Sequence, residues 1–370
     1  MAADGGTISE PERVAVLDAE PTTRPKRLGL AIAWAAGLFA AYLGAIAVAV
    51  AAGPVLLKLA GAVAAGVVIT LIAIVGHDVG HGAITRNKRV SFFLGTACFL
   101  PGLHPYGLWK YHHNIMHHGH TAQLGLDDAY PPITVADYEA RGPLGKRLYE
   151  FSRTLVGQQF CYMMDVFFPK IFFPFAYKGY ALKKSDWRDI AVVYAWTALF
   201  AAGALALSVA AGPGAGAFTH AANVAVFAFI IPMTVWLVSI NFLAIVQHTA
   251  PQVVWRAPLG HPTPPEEMML STVHIELPEW ADRFYLRIMQ HVMHHRNVKI
   301  DLWSLKEAEA RLCEERPDII RAKWTPAYHA MITRECQLWD AENEGWTTFK
   351  AVRERLGRDA ARPQALADAA

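Results

Sequence analysis

Ten of the sixteen histidines in the sequence fall in three short windows, at residues 76–82, 111–121 and 290–296. Imidazole is a common ligand for transition metals, and bunched rings that were protonated together would repel one another. Coordination of a metal by the neutral rings removes that repulsion. The bunching therefore indicates metal binding.

The first two windows contain histidines at helical spacing. His77 and His81 are four residues apart, which places both rings on one face of a helix. A single pair of this kind also arises by chance, so it is a weak signal alone. The second window is denser. In it, His113 and His117 share one helical face, and His118 lies beside them. We therefore expect the second window to supply three ligands.

The third window offers three more rings from a single helical turn. His291, His294 and His295 have the spacing i, i+3, i+4. His248, near the end of an apolar run, either joins them or is an interfacial hydrogen-bonding residue. Nine candidate ligands predict two metals with room for solvent or oxygen, and open positions would make the site catalytic. Zinc, copper, iron and nickel all accept imidazole. The nine are His77, His81, His113, His117, His118, His248, His291, His294 and His295.

Four apolar runs are long enough to be membrane helices, since about 20 helical residues cross a hydrocarbon core of about 30 Å. They cover about 28–50, 55–76, 190–211 and 223–246, and short links join them into two predicted hairpins. Hydrophobic residues make up 54% of the chain, and the net charge of +2 gives no basis for a nucleic-acid partner. The sequence therefore predicts an all-α integral membrane protein.

The distribution of charge orients these spans. Most of the Lys and Arg residues near the spans lie between the second and third, whereas the short hairpin links carry almost none. The positive-inside rule then predicts that both termini and all three histidine windows are cytoplasmic. A helical cytoplasmic cap would carry the metal site.

The remaining segments complete the predicted organisation. Residues 1–27 predict a disordered cytoplasmic tail, 28–310 the membrane domain and 311–370 a helical cytoplasmic extension. Two weaker apolar stretches are too short or too broken to span. We predict a re-entrant or interfacial segment at 91–103 and a surface-lying helix at 156–180.

The three histidine boxes, 77–81, 113–118 and 291–295, resemble those of the membrane fatty acid desaturase family, and the resemblance extends over about residues 70–310. The first box, the string 127–132 and the pair 247–248 are most similar to the omega-6 (delta-12 type) acyl-lipid branch. The second box departs from that branch by one intervening residue. Either His112 or His113 therefore supplies its first ligand.

The resemblance implies a non-haem di-iron centre that uses O2 and two electrons to remove two hydrogens from an acyl chain, leaving a cis double bond. The acyl chain would be membrane-lipid or carrier-bound. Electrons would come from a separate ferredoxin or cytochrome b5 type donor, because the chain lacks a fused haem motif. The predicted location is the bacterial inner membrane, and the oligomeric state is left open.

Carboxylates and amides near the boxes are candidates to orient the ligand rings. They are Asp78, Asp127, Asp128 and Asn297, although capping or turn formation is favoured for Asp127 and Asn297. The other histidines are interpreted as structural, His120 least securely. These are His104, His120, His220, His261, His274 and His329.

Two alternative functions remain. A related di-iron hydroxylase or ketolase would use the same boxes on a fatty acyl, sphingolipid or carotenoid substrate. A non-catalytic histidine-rich membrane metal-binding or transport protein is the alternative from another class. Transport ligands usually lie near mid-bilayer with carboxylates, whereas the predicted spans carry no carboxylates and the histidines lie at their ends. The transport alternative is therefore disfavoured.

Overall fold

A computed structural model describes residues 27–356, so the predicted disordered tail lies almost wholly outside the described residues. Fourteen α-helices lie wholly within this range, and residues 349–356 are also helical. In chain order they are α1 (Leu28–Ala51), α2 (Val55–Gly80), α3 (Lys88–Phe99), α4 (Tyr106–Lys110), α5 (Val135–Glu139), α6 (Pro143–Ser152), α7 (Lys184–Ala211), α8 (Ala217–Val224), α9 (Ile231–His248), α10 (Pro265–Leu270), α11 (Glu279–Phe284), α12 (His291–Arg296), α13 (Leu302–Glu315) and α14 (Pro326–Glu335).

Wider and tighter helical turns interrupt this series. Three π-helical segments cover Tyr111–His117, Tyr162–Phe172 and Ala225–Ile230, and two 3₁₀ turns cover Gly157–Phe160 and Pro174–Ala176. The third π-helical segment joins α8 to α9 without a break. The two therefore form one long helix.

Four helices of the described region are long and apolar enough to cross a membrane, which confirms the predicted number of spans. They are Leu28–Ala51, Val55–Gly80, Lys184–Ala211 and Ala217–His248. The second and fourth extend past the predicted ends because backbone hydrogen bonding continues where hydropathy falls. Their last turns carry His77 and His248. The first box and His248 are therefore built on the ends of rigid helices.

Helix α2 is the central helix of the membrane part. Of its most apolar window, 67% is buried, against 17% for α1. Glycines allow the close approach: a Cβ on Gly61 would lie 2.7 Å from the backbone nitrogen of Ala49 in α1. A Cβ on Gly66 would lie 2.5 Å from the Cβ of Val235 in α9. Small residues permit such tight helix contacts in membranes, and they fix α2 between α1 and α9.

A polar network joins the spans at the end opposite the histidines. The Lys58 ammonium donates to the Asn223 side-chain oxygen at 2.6 Å, and the Asn223 amide donates to the Val50 carbonyl at 2.9 Å and to Ser208 Oγ at 3.0 Å. Ser208 is in turn hydrogen-bonded to His220 at 2.9 Å. These residues belong to α2, α8, α1 and α7. One network therefore contacts all four spans.

The two weaker apolar stretches differ in structure. The first is α3, whose twelve residues are too few to span a bilayer. The second is the broken run of 3₁₀ and π-helical turns from Gly157 to Ala176, where a surface-lying helix was predicted. Pro169 lies inside it and removes a backbone donor. The stretch is therefore helical, but as short 3₁₀ and π-helical turns rather than as one α-helix.

The residues that follow the fourth span contain helices α10 to α14 and also four strands that the sequence did not predict. Strand β1 (His274–Glu276) pairs in parallel with β2 (Arg321–Lys323), and β3 (Leu338–Asp340) pairs antiparallel with β4 (Gly345–Thr347). Each strand is three residues long, too short for an alternating pattern to reveal it. The described part of the predicted helical extension is therefore mixed helix and strand.

Candidate metal centre

All nine predicted ligands come together in two adjacent groups. Within each group, one ligand atom of every histidine lies within 4.8 Å of those of the others. Site A contains His77, His81, His113, His118 and His294. Site B contains His117, His248, His291 and His295. Eight of the rings are buried and His113 is half-buried, so solvent has little access to them.

Two short segments, the second box and α12, each contribute ligands to both sites. The second box gives His113 and His118 to site A but His117 to site B. Helix α12 gives His294 to site A and two rings to site B. The rings of His117 and His118 are 5.1 Å apart between centroids, so the two sites are direct neighbours. This is the arrangement that a dinuclear centre requires.

The second box is wound as a π-helix rather than an α-helix. The backbone N–H of His118 donates to the His113 carbonyl oxygen at 2.9 Å, a bond that spans five residues. This wider turn brings residues five apart to the same side, and such turns are frequent at functional sites. An α-helix would place His113 and His117 on one face, as the spacing predicts, whereas the π-helix groups His113 with His118 and directs His117 to site B.

The ring nitrogens have the separations expected of ligands to a common metal. Two imidazole nitrogens bound at about 2.1 Å and at right angles lie about 3.0 Å apart. Four pairs of Nε2 atoms lie 2.9 to 3.1 Å apart: His81 and His113, His118 and His294, His248 and His291, and His291 and His295. An all-nitrogen donor set of this kind suits a transition metal.

Electrostatics favour the neutral form of the rings. Burial, followed by the like charges of neighbouring histidines, lowers the pKa of these imidazoles well below the ordinary value of 6.5. A neutral ring keeps a lone pair for a metal. The six rings concerned are His81, His113, His118, His291, His294 and His295.

Two aspartates orient ligand rings in the way expected for metal-binding histidines. The Nδ1 atom of His117 donates to Asp127 Oδ1 at 2.8 Å, which leaves Nε2 free for a metal. His77 Nδ1 contacts Asp78 Oδ1 at 3.2 Å, and Asp78 Oδ2 accepts the N–H of Leu302 at 2.7 Å. Asp127 also accepts two backbone N–H groups. The expectation from the sequence that Asp127 forms a turn rather than orienting a ligand ring was therefore wrong.

The structure gives His112 and His113 different surroundings. His112 belongs to neither site; its Nδ1 atom donates to Asp128 Oδ2 at 2.7 Å, and Asp128 Oδ1 accepts from Lys170 at 2.6 Å. His113, not His112, is thus brought together with the other rings of site A. Asn297 accepts the N–H of Lys299 at 3.0 Å and forms a turn, as favoured from the sequence.

Sequence reasoning missed Glu309. This buried carboxylate accepts the backbone N–H of Met293 at 2.5 Å and faces His274 Nδ1 at 2.8 Å. Met293 is the third residue of α12, so Glu309 satisfies one of the unpaired N–H groups at that helix start. The contact joins residues sixteen positions apart. No local motif reveals it.

An apolar cavity of about 110 Å³ adjoins both sites. Rings of site A and site B, including His77, His113, His117 and His248, line it together with residues of α2, α9 and the second π-helical segment. Most of its other walls are aliphatic or aromatic, such as Ile74 and Leu243. The cavity therefore suits an apolar substrate that must approach both metal positions.

Comparison with known sequences identifies the family of this chain. The fatty acid desaturase family profile matches residues 52–326. The sn-1 oleoyl-lipid 12-desaturase of Synechocystis sp. is 26% identical over 295 residues, covering 78% of this chain and 78% of that protein. The corresponding enzyme of Picosynechococcus sp. is 26% identical, covering 75% and 76%.

A plant enzyme is similarly related. The chloroplastic omega-6 fatty acid desaturase of Spinacia oleracea is 26% identical over 293 residues, covering 78% of this chain but 61% of that longer protein. The family match spans most of the chain and includes every histidine of sites A and B. The chain belongs to the fatty acid desaturase family.

Proposed function

We propose that this protein is an O2-dependent acyl-lipid desaturase of the omega-6 (delta-12) type, which introduces a cis double bond into an acyl chain. The observation that carries the proposal is the cavity, because one apolar space is lined by histidines of both sites. An acyl chain in that space has its methylene groups beside both metal positions. This arrangement suits chemistry on two adjacent carbons.

Sites A and B are proposed to hold one iron ion each, with the nine histidines as ligands. When bound, the iron pair would supply O2 activation and the removal of two hydrogens. The protein's own contribution is to hold the rings neutral and oriented. Asp127 keeps the proton of His117 on Nδ1, and Asp78 does the same for His77.

The cavity walls would position the substrate and exclude water. Ile74, Val166 and Leu243 offer only hydrocarbon, so an acyl chain enters while its polar head stays outside. Exclusion of water protects the reaction from side products. The regiochemistry is proposed from the relatives, whose names specify an oleoyl lipid and the 12 position.

The proposed membrane arrangement is two helical hairpins with both termini and the metal centre on the cytoplasmic face of a bacterial inner membrane. The Lys and Arg residues that follow α2 support this orientation through the positive-inside rule. The two electrons would come from a separate ferredoxin or cytochrome b5 type donor. A cytoplasmic site gives such a donor access.

Expression in a host with simple monounsaturated lipids tests this function. Lipid mass spectrometry should show a loss of two daltons in an acyl chain, and a His294→Ala protein should lose both bound iron and this product. An added oxygen atom would instead identify a hydroxylase. Bound metal without any lipid change would support a transport or storage role.

A further inference from the structure

The cavity beside the metal centre follows two facing helices. Helices α2 and α9 both run toward the histidines, and each lines the cavity with one stripe of residues. On α2 the stripe runs from Thr70 to His77, and on α9 from Trp236 to His248. The cavity therefore has a histidine end and an opposite end at Thr70 and Trp236.

A tight helix contact lies directly beyond that opposite end. A Cβ on Gly66, one turn before Thr70, would lie 2.5 Å from the Cβ of Val235, the residue preceding Trp236. The same Cβ would lie 2.6 Å from the Pro232 carbonyl oxygen. The two helices touch there without space for a methyl group. An acyl chain cannot pass between them at this level.

The Trp236 ring forms the closed end, which we call the cavity floor. It is 2% exposed, and a Cβ on Gly102 would lie 3.0 Å from its Nε1 atom. The His104 ring packs against it edge-on at 5.6 Å and is itself hydrogen-bonded to Tyr162 at 3.0 Å. With Gly102 on one side and His104 on another, the indole has no room to swing aside.

The depth of the floor can be compared with an acyl chain. Seven helical residues separate Thr70 from His77, which is about 10 Å along the axis. Each carbon of an extended chain advances about 1.25 Å, because C–C bonds of about 1.5 Å zigzag. On α9, twelve residues separate Trp236 from His248, which is about 18 Å. The space between the metal level and the floor thus takes roughly eight to fourteen carbons.

We infer that Trp236 is a specificity-determining residue that stops the methyl end of the acyl chain and so sets which carbons face the metal centre. This inference rests on the proposed function. The position of the double bond is then counted from the methyl end, so acyl chains of different length receive it at the same distance from that end.

Trp236→Leu and Trp236→Phe variants test the inference in a host supplied with sixteen- and eighteen-carbon fatty acids whose single double bond lies at carbon 5, so that the existing bond is clear of every position where a new bond is expected. Double-bond positions are read by mass spectrometry after chemical derivatisation. The wild type should place the new bond at one distance from the methyl end in both chains. Trp236→Leu deepens the floor, so the bond should move by roughly two carbons toward the carboxyl end, and Trp236→Phe should move it less.

Trp280→Leu is the matched control, since Trp280 is 74% exposed and does not line the cavity. Its product should be that of the wild type. Unchanged bond positions in an active Trp236→Leu protein with full iron content would overturn the inference alone, as would wild-type bonds counted from the carboxyl end. If the wild type makes no desaturated product, the proposed function and this inference fail together.

Discussion

The N–H of His118 donates to the carbonyl oxygen of His113 at 2.9 Å, and this bond decides which ring serves which metal position. It places these two rings in site A and directs His117 to site B. His113→Asn should therefore remove metal from site A, and His117→Asn from site B. His112→Asn should keep both, because its ring bonds to Asp128 instead. Iron per chain, measured by elemental analysis of purified protein, checks this; iron loss in His112→Asn comparable to that in His113→Asn would contradict it.

Asp127 should matter to metal affinity without being a ligand. Asp127→Asn can present its amide rather than an oxygen to His117 Nδ1, which weakens the preference for the Nδ1–H tautomer. Loss of a partner that orients a ligand ring typically costs about 10–100-fold in metal affinity or activity. Chelator competition on the purified variant measures the change. Asp137→Asn, exposed in the first turn of α5, is the control and should bind metal as the wild type does. Equal affinity in both variants would refute the orienting role.

Glu309 should hold α12 in place for both sites. Glu309→Ala removes the acceptor for the Met293 N–H and for His274, leaving a buried donor unpaired at a cost of about 1–3 kcal/mol. We expect lower thermal stability and iron loss from both sites, and Glu309→Gln should recover part of each. Glu314→Gln, exposed on the same helix, should change neither. Iron content and melting temperature in detergent are the measurements.

Gly80 leaves space for an indole that supports a ligand ring. A Cβ at this position would lie 2.3 Å from Trp109, and the Trp109 ring stacks on His113 at 4.7 Å. Gly80→Ala should push Trp109 against His113 and reduce desaturation activity. Iron should be lost from site A before it is lost from site B. Gly37→Ala, where nothing lies within 4 Å, is the matched control. Wild-type activity in Gly80→Ala would contradict the contact.

The metal-free protein should lose stability in mild acid. The folded pKa of the ligand imidazoles, such as His294 and His295, lies well below 6.5, first through burial and then through neighbouring histidines. The unfolded chain therefore binds more protons below about pH 6.5. Stability should be fully present above that pH and fall as the pH drops through it. Thermal unfolding of apo-protein between about pH 8 and 5 measures this. A flat profile would show that the rings titrate normally.

The membrane helices and the ligand set were predictable because their signals are local. Runs of about 20 apolar residues identify spans directly, and i, i+4 spacing brought out His77 with His81 and His291 with His295. The structure places all nine predicted rings in two groups. Each of these inferences needed only residues that are close in sequence.

What the sequence did not reveal depends on long-range contacts or on unusual backbone. The π-helical winding at Tyr111–His117 has no periodicity that distinguishes it from an α-helix in seven residues. The Glu309 contact and the β1–β2 pairing join segments that are distant along the chain. Asp127 has turn-forming neighbours, and only the fold brings its carboxylate to His117 as well.

The sharing of α12 between the two sites bears on how the protein matures. Site A takes His294 from this helix, and site B takes His291 and His295. A nascent chain that has not yet reached these residues offers His117 and His248 alone to site B, and site A also lacks a ring. Both sites would therefore be complete only once synthesis has passed residue 295, so metal loading would follow the emergence of α12 from the ribosome.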